Sequence, residues 1–318
     1  MAYSYIIMDK IIFSLVRQKG DLMKYILIIL ILIFLLILWS LIEHRFIVTK
    51  DYLIKSNKLE IDSQNISFVV ISDLHNRSFS KKNIKLIQKI LEQKPDFVII
   101  AGDLITKRRP CYPGNAYDLL VELKKHYPIY YAYGNHEEYY EDLIRKKTDH
   151  SDKELIALKE SWKSYKDMLL KLGVHILDND SLLLYNNRVR ITGLSIPGDF
   201  YVKGKPPELK KEEIISYIGR PNNKEYQILI AHNPVYFKEY IEWGADLILS
   251  GHLHGGLIRI PFIGGVISPQ VRLFPKYDGG LYKEKQKNMI VSRGAGNHSF
   301  MPRFLNPPEL LKITLKAE

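Results

Sequence analysis

The feature that most restricts the fold is a set of five short apolar runs, each closed by a polar loop. Ile66–Ser72 precedes Asp73-Leu74-His75, Asp96–Ala101 precedes Gly102-Asp103, and Ile129–Tyr133 precedes Gly134-Asn135-His136-Glu137. Tyr226–Ala231 precedes His232-Asn233-Pro234, and Asp246–Ser250 precedes Gly251-His252-Leu253-His254-Gly255-Gly256. Runs of Ile, Val, Leu and Tyr without polar alternation suit strands covered on both faces, the condition of parallel strands in α/β proteins. In such sheets ligands collect beyond the carboxyl ends of the strands, so five loops at equivalent positions are placed to converge.

The loops carry imidazole, carboxylate and amide groups. His252 and His254 have period-two spacing, and the flanking glycines let the backbone turn closely around an ion. Taken singly each motif says little: a His pair sits on many surface turns, and Asp-x-His is often a turn with a capping aspartate. Five such loops, all after strand-like runs, are hard to assign to chance.

In this order the motifs resemble the calcineurin-like metallophosphoesterase superfamily, whose pattern is Asp-x-His, Gly-Asp, Gly-Asn-His-Asp/Glu, a lone His, then Gly-His-x-His. The match runs from about Ile66 to about Arg259. It implies an α/β fold, a four-layer α-β-β-α sandwich of two mixed sheets with the site at one edge. It also implies two divalent metal ions. Asp73, His75, Asp103 and His254 would hold one, Asp103, Asn135, His232 and His252 the other, with Asp103 shared. Oxygen and imidazole ligands without thiolate admit manganese, iron or zinc, and also cobalt or magnesium, so the donor set does not choose; manganese or iron is favoured by resemblance.

Displacement at a phosphodiester builds charge on both the attacking and leaving oxygens, and two cations about 3.5–4 Å apart clamp both. A water shared by the ions can ionise near neutral pH and act as nucleophile without a side-chain base. By resemblance, His136 protonates the leaving oxygen. Many members read Gly-Asp-x-x-Asp, the last carboxylate orienting that histidine; here Gly102-Asp103-Leu104-Ile105-Thr106 puts a threonine there, so Glu137 or a backbone carbonyl is expected to orient the ring. Thr106 also stands where the purple acid phosphatases have a tyrosine ligand, which argues against that branch.

Tyr25–Ile42 is an uncharged run bounded by Lys24 and Glu43. As a helix it would reach about 27 Å, close to the hydrocarbon thickness of a bilayer at about 30 Å. Trp39-Ser40-Leu41-Ile42-Glu43-His44 offers no small-x-small cleavage site, so the run reads as an uncleaved signal anchor. Residues 1–24 are then a short basic segment, 25–42 the transmembrane anchor, 43–64 a linker and 65–318 the metallophosphoesterase domain. Lys10, Arg17, Lys19 and Lys24 before the span are matched by Arg45, Lys50, Lys55 and Lys58 after it, so basic residues do not orient it. The resemblance favours a catalytic domain outside the cytoplasm, and Met23-Lys24-Tyr25 reads as a second candidate start.

The +11 net charge comes largely from lysine in an Ile/Lys/Asn-rich chain, and basic residues do not interleave with aromatics. Nucleic acid is therefore a disfavoured substrate. One cysteine, Cys111, excludes an internal disulfide and a cysteine-rich zinc site. Leu155, Leu158, Trp162, Tyr165 and Leu169 step at helical spacing and predict one buried stripe; Tyr139, Tyr140 and Trp162 are expected in the core rather than on a ligand. Val174–Ile196 reads as two or three strands of the second sheet with a turn at Asn186-Asn187. The tail Ser292-Arg293-Gly294-Ala295-Gly296, Pro302-Arg303 and Pro308-Glu309-Leu310 is similar to the exported or membrane-bound branch that includes UDP-diacylglucosamine pyrophosphatase-like enzymes, and Arg293 and Arg303 are candidates for phosphate contact or for ion pairs. The expected activity is hydrolysis of a phosphodiester or pyrophosphate bond, a lipid pyrophosphate among the candidates; a nuclease and a catalytically silent metal-binding or signalling protein are the alternatives.

Overall fold

A computed structural model describes residues 2–59, 65–146, 151–184, 188–202, 204, 206–260, 262–268, 272–296 and 303–318. The helices are α1 (Ala2–Glu43), α2 (Ile84–Gln93), α3 (Gly114–Leu123), α4 (Asn135–Lys146), α5 (Lys153–Leu172), α6 (Lys211–Ile218) and α7 (Phe237–Trp243). The strands are β1 (Val48–Ser56), β2 (Ile66–Ile71), β3 (Phe97–Ala101), β4 (Ile129–Ala132), β5 (His175–Ile176), β6 (Ser181–Leu184), β7 (Val189–Leu194), β8 (Tyr226–Ala231) and β9 (Leu247–Ser250), then β10 (Ile258–Ile260), β11 (Gly264–Ile267), β12 (Gly280–Glu284), β13 (Lys287–Val291) and β14 (Glu309–Ala317).

Two mixed sheets face each other, one ordered β1-β14-β2-β3-β4-β5 and the other β12-β13-β9-β8-β7-β6, while β10 and β11 form a separate hairpin. Alternation along each strand makes the layers. Phe68, Val70, Phe97, Ile99 and Ala101 point inward to meet Ile191, Ile228, Ile230 and Leu249 of the second sheet. Val69, Ile71, Val98 and Ile100 point outward under α2, α3 and α5, and Leu229, Ile248, Met289 and Val291 lie under α6 and α7. The continuous apolar runs are thus strands buried on both faces, and the order is helix, sheet, sheet, helix. Helix α5 starts at Asp152, whose carboxylate accepts from the N–H groups of Glu154 and Leu155 at 3.0 and 3.2 Å, and stops at Gly173 with φ of 80°. Its buried residues are the five of the expected stripe. Tyr140 and Trp162 stack in the core at 4.8 Å.

Two expectations about position are corrected. Part of the expected linker, Val48–Ser56, is an edge strand running parallel to β14; its charged residues Lys50, Asp51 and Lys55 are all exposed and break the apolar alternation, which disguised the strand. His175–Ile176 pairs with β4 and so closes the first sheet, not the second. The expected turn at Asn186-Asn187 and Pro302 lie outside the described residues.

Helix α1 contains, at Leu22–Glu43, a stretch long and apolar enough to cross a membrane or to serve as a signal sequence, and its most apolar window is only 6% buried. The polar end is docked: Ser40 Oγ donates to the carbonyl of Arg303 at 2.7 Å, and Glu43 Oε2 accepts the N–H of Asn306 at 3.1 Å.

Candidate metal centre

β2, β3 and β4 are parallel in the first sheet and β7, β8, β9 and β13 in the second. The loops after β2, β3, β4, β8 and β9 emerge at one edge of the sandwich and meet there. Asp73 Oδ1 lies 3.3 Å from His254 Nε2 and 3.6 Å from His232 Nε2. Asp103 Oδ2 lies 3.3 Å from His232 Nε2 and 3.8 Å from the Nε2 atoms of both His75 and His136. His75 and His254 face each other Nε2 to Nε2 at 3.2 Å. Donor atoms of Asp73, His75 and His254 form one mutually close group and those of Asp103, His232 and His252 another, while His75, Asp103 and His136 form a third that links them. Asn135 heads α4 at the same edge, and its Oδ1 is buried without a hydrogen-bond partner among the described residues.

The backbone bends sharply to aim these groups. Asp73, His75, Asp103, His252 and His254 all have φ between 51° and 70°, a region that costs a non-glycine residue roughly 1–2 kcal/mol and persists only where surroundings enforce it. Two glycines permit the approach: a β-carbon on Gly134 would stand 2.3 Å from Asp103 Oδ1, and one on Gly251 would stand 2.3 Å from Asp73 Oδ2.

Asp103 is fixed through one oxygen and open through the other, whereas Asp73 takes a donor on each. Asp103 Oδ1 accepts from the N–H of His136 at 2.8 Å, which leaves Oδ2 toward the imidazoles. Asp73 takes Ser72 Oγ on Oδ2 and the N–H of His252 on Oδ1 at 3.0 Å. His232 Nδ1 sits 2.8 Å from the carbonyl of Ala101, a contact that puts its proton on Nδ1 and frees Nε2 for an ion. Burial works against ionisation of Asp103, but the imidazoles of His136, His232 and His75 outweigh it and hold the carboxyl well below the usual range. For Asp73 burial prevails and pushes the carboxyl up to about 6, despite His232. Burial likewise opposes the charge on His232, yet Asp103 and Asp73 raise it to about 10.

Glu137 does not orient the His136 ring. Its fully buried carboxylate accepts from the N–H groups of Asp103 and Gly134 on Oε2, both at 2.9 Å, and on Oε1 from the N–H of Ile105 at 3.2 Å and the hydroxyl of Tyr131 at 2.8 Å. It ties the Gly102-Asp103 loop to the Gly134-Asn135 loop. The His136 ring is instead positioned by the N–H of Lys107, which donates to Nδ1 at 3.1 Å. An imidazole that accepts at Nδ1 keeps its proton on Nε2, the atom facing Asp103. Thr106 Oγ1 donates to the carbonyl of His75 at 3.0 Å, so the residue standing in for the missing carboxylate braces a neighbouring loop.

Neither tail arginine reaches the cluster. Arg293 Nε and Nη2 both bond Glu309 at 2.6 Å. Arg303 is buried, and its Nη1 donates to the carbonyls of Gly294 and Gly296 at 3.1 and 2.7 Å. Two participants gave no sequence signal. Tyr201 sets its ring edge-on to His252 at 5.0 Å from the end of a short 3-10 helix, Gly198–Tyr201, and Asn306 Nδ2 donates to the carbonyls of His254 and Gly256 at 2.7 and 2.6 Å from a proline-flanked tail.

The donor set fits divalent metal on its own chemistry. Two imidazole nitrogens at 3.2 Å are spaced as donors to a shared ion with bonds of about 2.0–2.1 Å would be. The orphaned amide oxygen of Asn135 and the open oxygen of Asp103 supply hard donors beside them. An α/β sandwich with such an edge is a metal-dependent hydrolase scaffold. The chain belongs to the calcineurin-like phosphoesterase family, whose model matches residues 66–256, and is a metal-dependent phosphoric ester hydrolase. It is 27% identical to the uncharacterized metallophosphoesterase YkuE of Bacillus subtilis over 282 residues, covering 87% of this chain and 88% of that one. It is 23% identical to phosphodiesterase YaeI of Escherichia coli, covering 81% and 82%. A solved archaeal phosphodiesterase aligns over 74% of this chain and 88% of its own at 14% identity, with a TM-score of 0.33.

Proposed function

We propose that the chain is a membrane-anchored phosphodiester or pyrophosphate hydrolase working with two divalent metals, manganese or iron foremost. The observation that carries this reading is Asp103: one oxygen is held by the backbone and the other sits 3.3–3.8 Å from three imidazoles, at the junction of the two donor groups. Asp73, His75, Asp103 and His254 would hold one ion; Asp103, Asn135, His232 and His252 would hold the other. When bound, the metals neutralise phosphoryl charge and draw a nucleophile from water near neutral pH.

The rest falls to the chain. The N-terminus of α4 points at the same edge, so the positive end of its dipole favours an anionic substrate. Lys107, Arg108 and Arg109 are exposed on the loop that also carries the His136 contact, and they extend positive charge outward from the centre. His136, with its proton on Nε2, donates to the leaving oxygen; complete transfer of that proton requires a second one at Nδ1. The expected general acid therefore acts first as a hydrogen-bond donor.

The test is turnover of bis(p-nitrophenyl) phosphate by the purified full chain, assayed with manganese, iron, zinc and cobalt, beside elemental analysis. Turnover with two equivalents of metal is the expected result. No turnover with any of these metals would overturn the reading in favour of a catalytically silent protein.

A further inference from the structure

Four residues, Arg303 to Asn306, join three parts of the molecule. From the anchor side, Ser40 Oγ bonds the Arg303 carbonyl, the N–H of Arg303 donates to His44 Nε2 at 3.1 Å, and Glu43 accepts from Asn306. From the opposite side, the N–H of Phe304 donates to Leu257 O at 2.9 Å, and the N–H of Arg259 donates to Phe304 O at 3.0 Å, at the root of the β10–β11 hairpin. Asn306 adds its two bonds to the His254–Gly256 loop. The end of α1, the hairpin and a metal-centre loop are therefore tied together through these four residues.

The hairpin carries its apolar residues outward. Phe262 is fully exposed at 108%, and Ile263, Leu273, Phe274 and Leu305 are 46–69% exposed; Phe46, where the chain leaves α1, is 64% exposed. The N–H of Phe274 donates to Val266 O at 2.8 Å, so Leu273 and Phe274 extend the hairpin's face. Exposed large apolar groups gathered in this way mark an interaction surface. The topology says which edge they occupy: β14 is antiparallel to β2 and β1 is parallel to β14, so β1 starts, and α1 ends, where β2 finishes and the metal loops begin.

We propose that the β10–β11 hairpin and the Phe274 and Leu305 loops form a second membrane contact, dipping into the headgroup layer beside α1 and holding the metal centre's edge against the bilayer. The surface is continuous with a helix whose Tyr25–Trp39 stretch exposes apolar side chains throughout, and exposed Arg45 and Lys276 beside it complement anionic headgroups. Held so, the centre meets substrates whose phosphoester lies at headgroup level, amphiphiles rather than freely diffusing esters. This rests on the reading of α1 as a membrane anchor.

The test uses the full chain in vesicles of phosphatidylethanolamine and phosphatidylglycerol, with an environment-sensitive fluorophore on Phe262→Cys; the native Cys111 is buried. Two reference positions are Leu22→Cys on α1 and Lys224→Cys, which precedes β8 at the opposite edge. Doxyl-labelled lipid is expected to quench the labels at 262 and 22 and leave 224 unaffected. Quenching at 22 without quenching at 262 would overturn the second contact while keeping the anchor. Quenching at neither would overturn the anchor itself. A blue shift at 262 that needs crowded protein and ignores doxyl lipid would assign the patch to a second copy of the chain and sink the proposal.

Discussion

The two edges of the sandwich both bury carboxylates and treat them in opposite ways. At the edge made by strand N-termini, Asp246 receives Lys58 Nζ at 2.8 Å, Lys287 Nζ at 2.6 Å and the N–H of Gln227 at 2.9 Å, and Glu225 receives Arg190 Nε at 2.6 Å. Permanent cations occupy those oxygens. At the other edge Asp73 and Asp103 face imidazoles, which are charged only while protonated, and the Asn135 oxygen beside them has no partner among the described residues. Buried negative charge is therefore no sign of a site by itself. What marks one is charge whose present partners can be exchanged for an ion.

The largest expected effect is at the shared carboxylate. Asp103→Asn removes the charge that both donor groups use while keeping the hydrogen bond from His136, so turnover falls at least about 10³-fold and metal content drops with it. Retention of both metals with near-normal turnover would erase the difference between the edges. His136→Ala comes next, with an expected loss in kcat of about 10²–10⁴-fold and unchanged metal content by elemental analysis. Because His136 donates from Nε2, the loss should be greater for an alkyl ester than for a p-nitrophenyl ester, whose leaving group needs less stabilisation. Equal losses for both esters would remove His136 from the leaving oxygen.

Glu137→Gln sharpens the comparison differently, because Glu137 is buried charge at the metal edge that binds no ion. Burial and the nearby Asp103 push its carboxyl upward, against the donors from Gly134, Tyr131 and Ile105. The substitution turns one acceptor oxygen into a donor facing N–H or O–H groups, loosening both the Asp103 and Asn135 loops. Metal affinity should weaken by about 10–100-fold, as when a supporting partner of a ligand is lost, measured by competition with a chelator. Unchanged affinity would make Glu137 a stabiliser of the fold alone.

Much of this edge was legible because its strands are apolar on both faces and its motifs sit directly at their ends. The runs before Asp73, Asp103, Asn135, His232 and His252 needed only length and composition to be read as strands. The rest depended on contacts between parts distant in sequence. β1 hides because its Lys and Asp residues face solvent on an edge strand, and β5 is only two residues long. Glu137 is adjacent to two ligand candidates, but nothing in the sequence distinguishes a residue that orients His136 from one that joins two loops. Asn306 reaches His254 across 52 positions, and Arg303 spends its guanidinium on carbonyls that no pattern of residue types reveals.

The smallest effect is expected at the opposite edge, and it completes the comparison. Asp246→Asn leaves Lys58 and Lys287 without a charged partner and weakens the acceptor for Gln227 N–H. The carboxylate side chain is 8% exposed, while the two lysines are 28% and 27% exposed, so water takes up part of their charge. The cost is therefore about 1–3 kcal/mol, below that of breaking a fully buried pair. Unfolding should be followed by denaturant titration at saturating metal, so that ligand binding contributes equally to both proteins. Turnover at 25 °C should stay within about twofold, because Asp246 precedes β9 at the end remote from the His252–His254 loop. A fall in kcat without a fall in stability would mean that the two edges communicate through β9, and pairing of charge would then no longer suffice to tell a structural cluster from a working one.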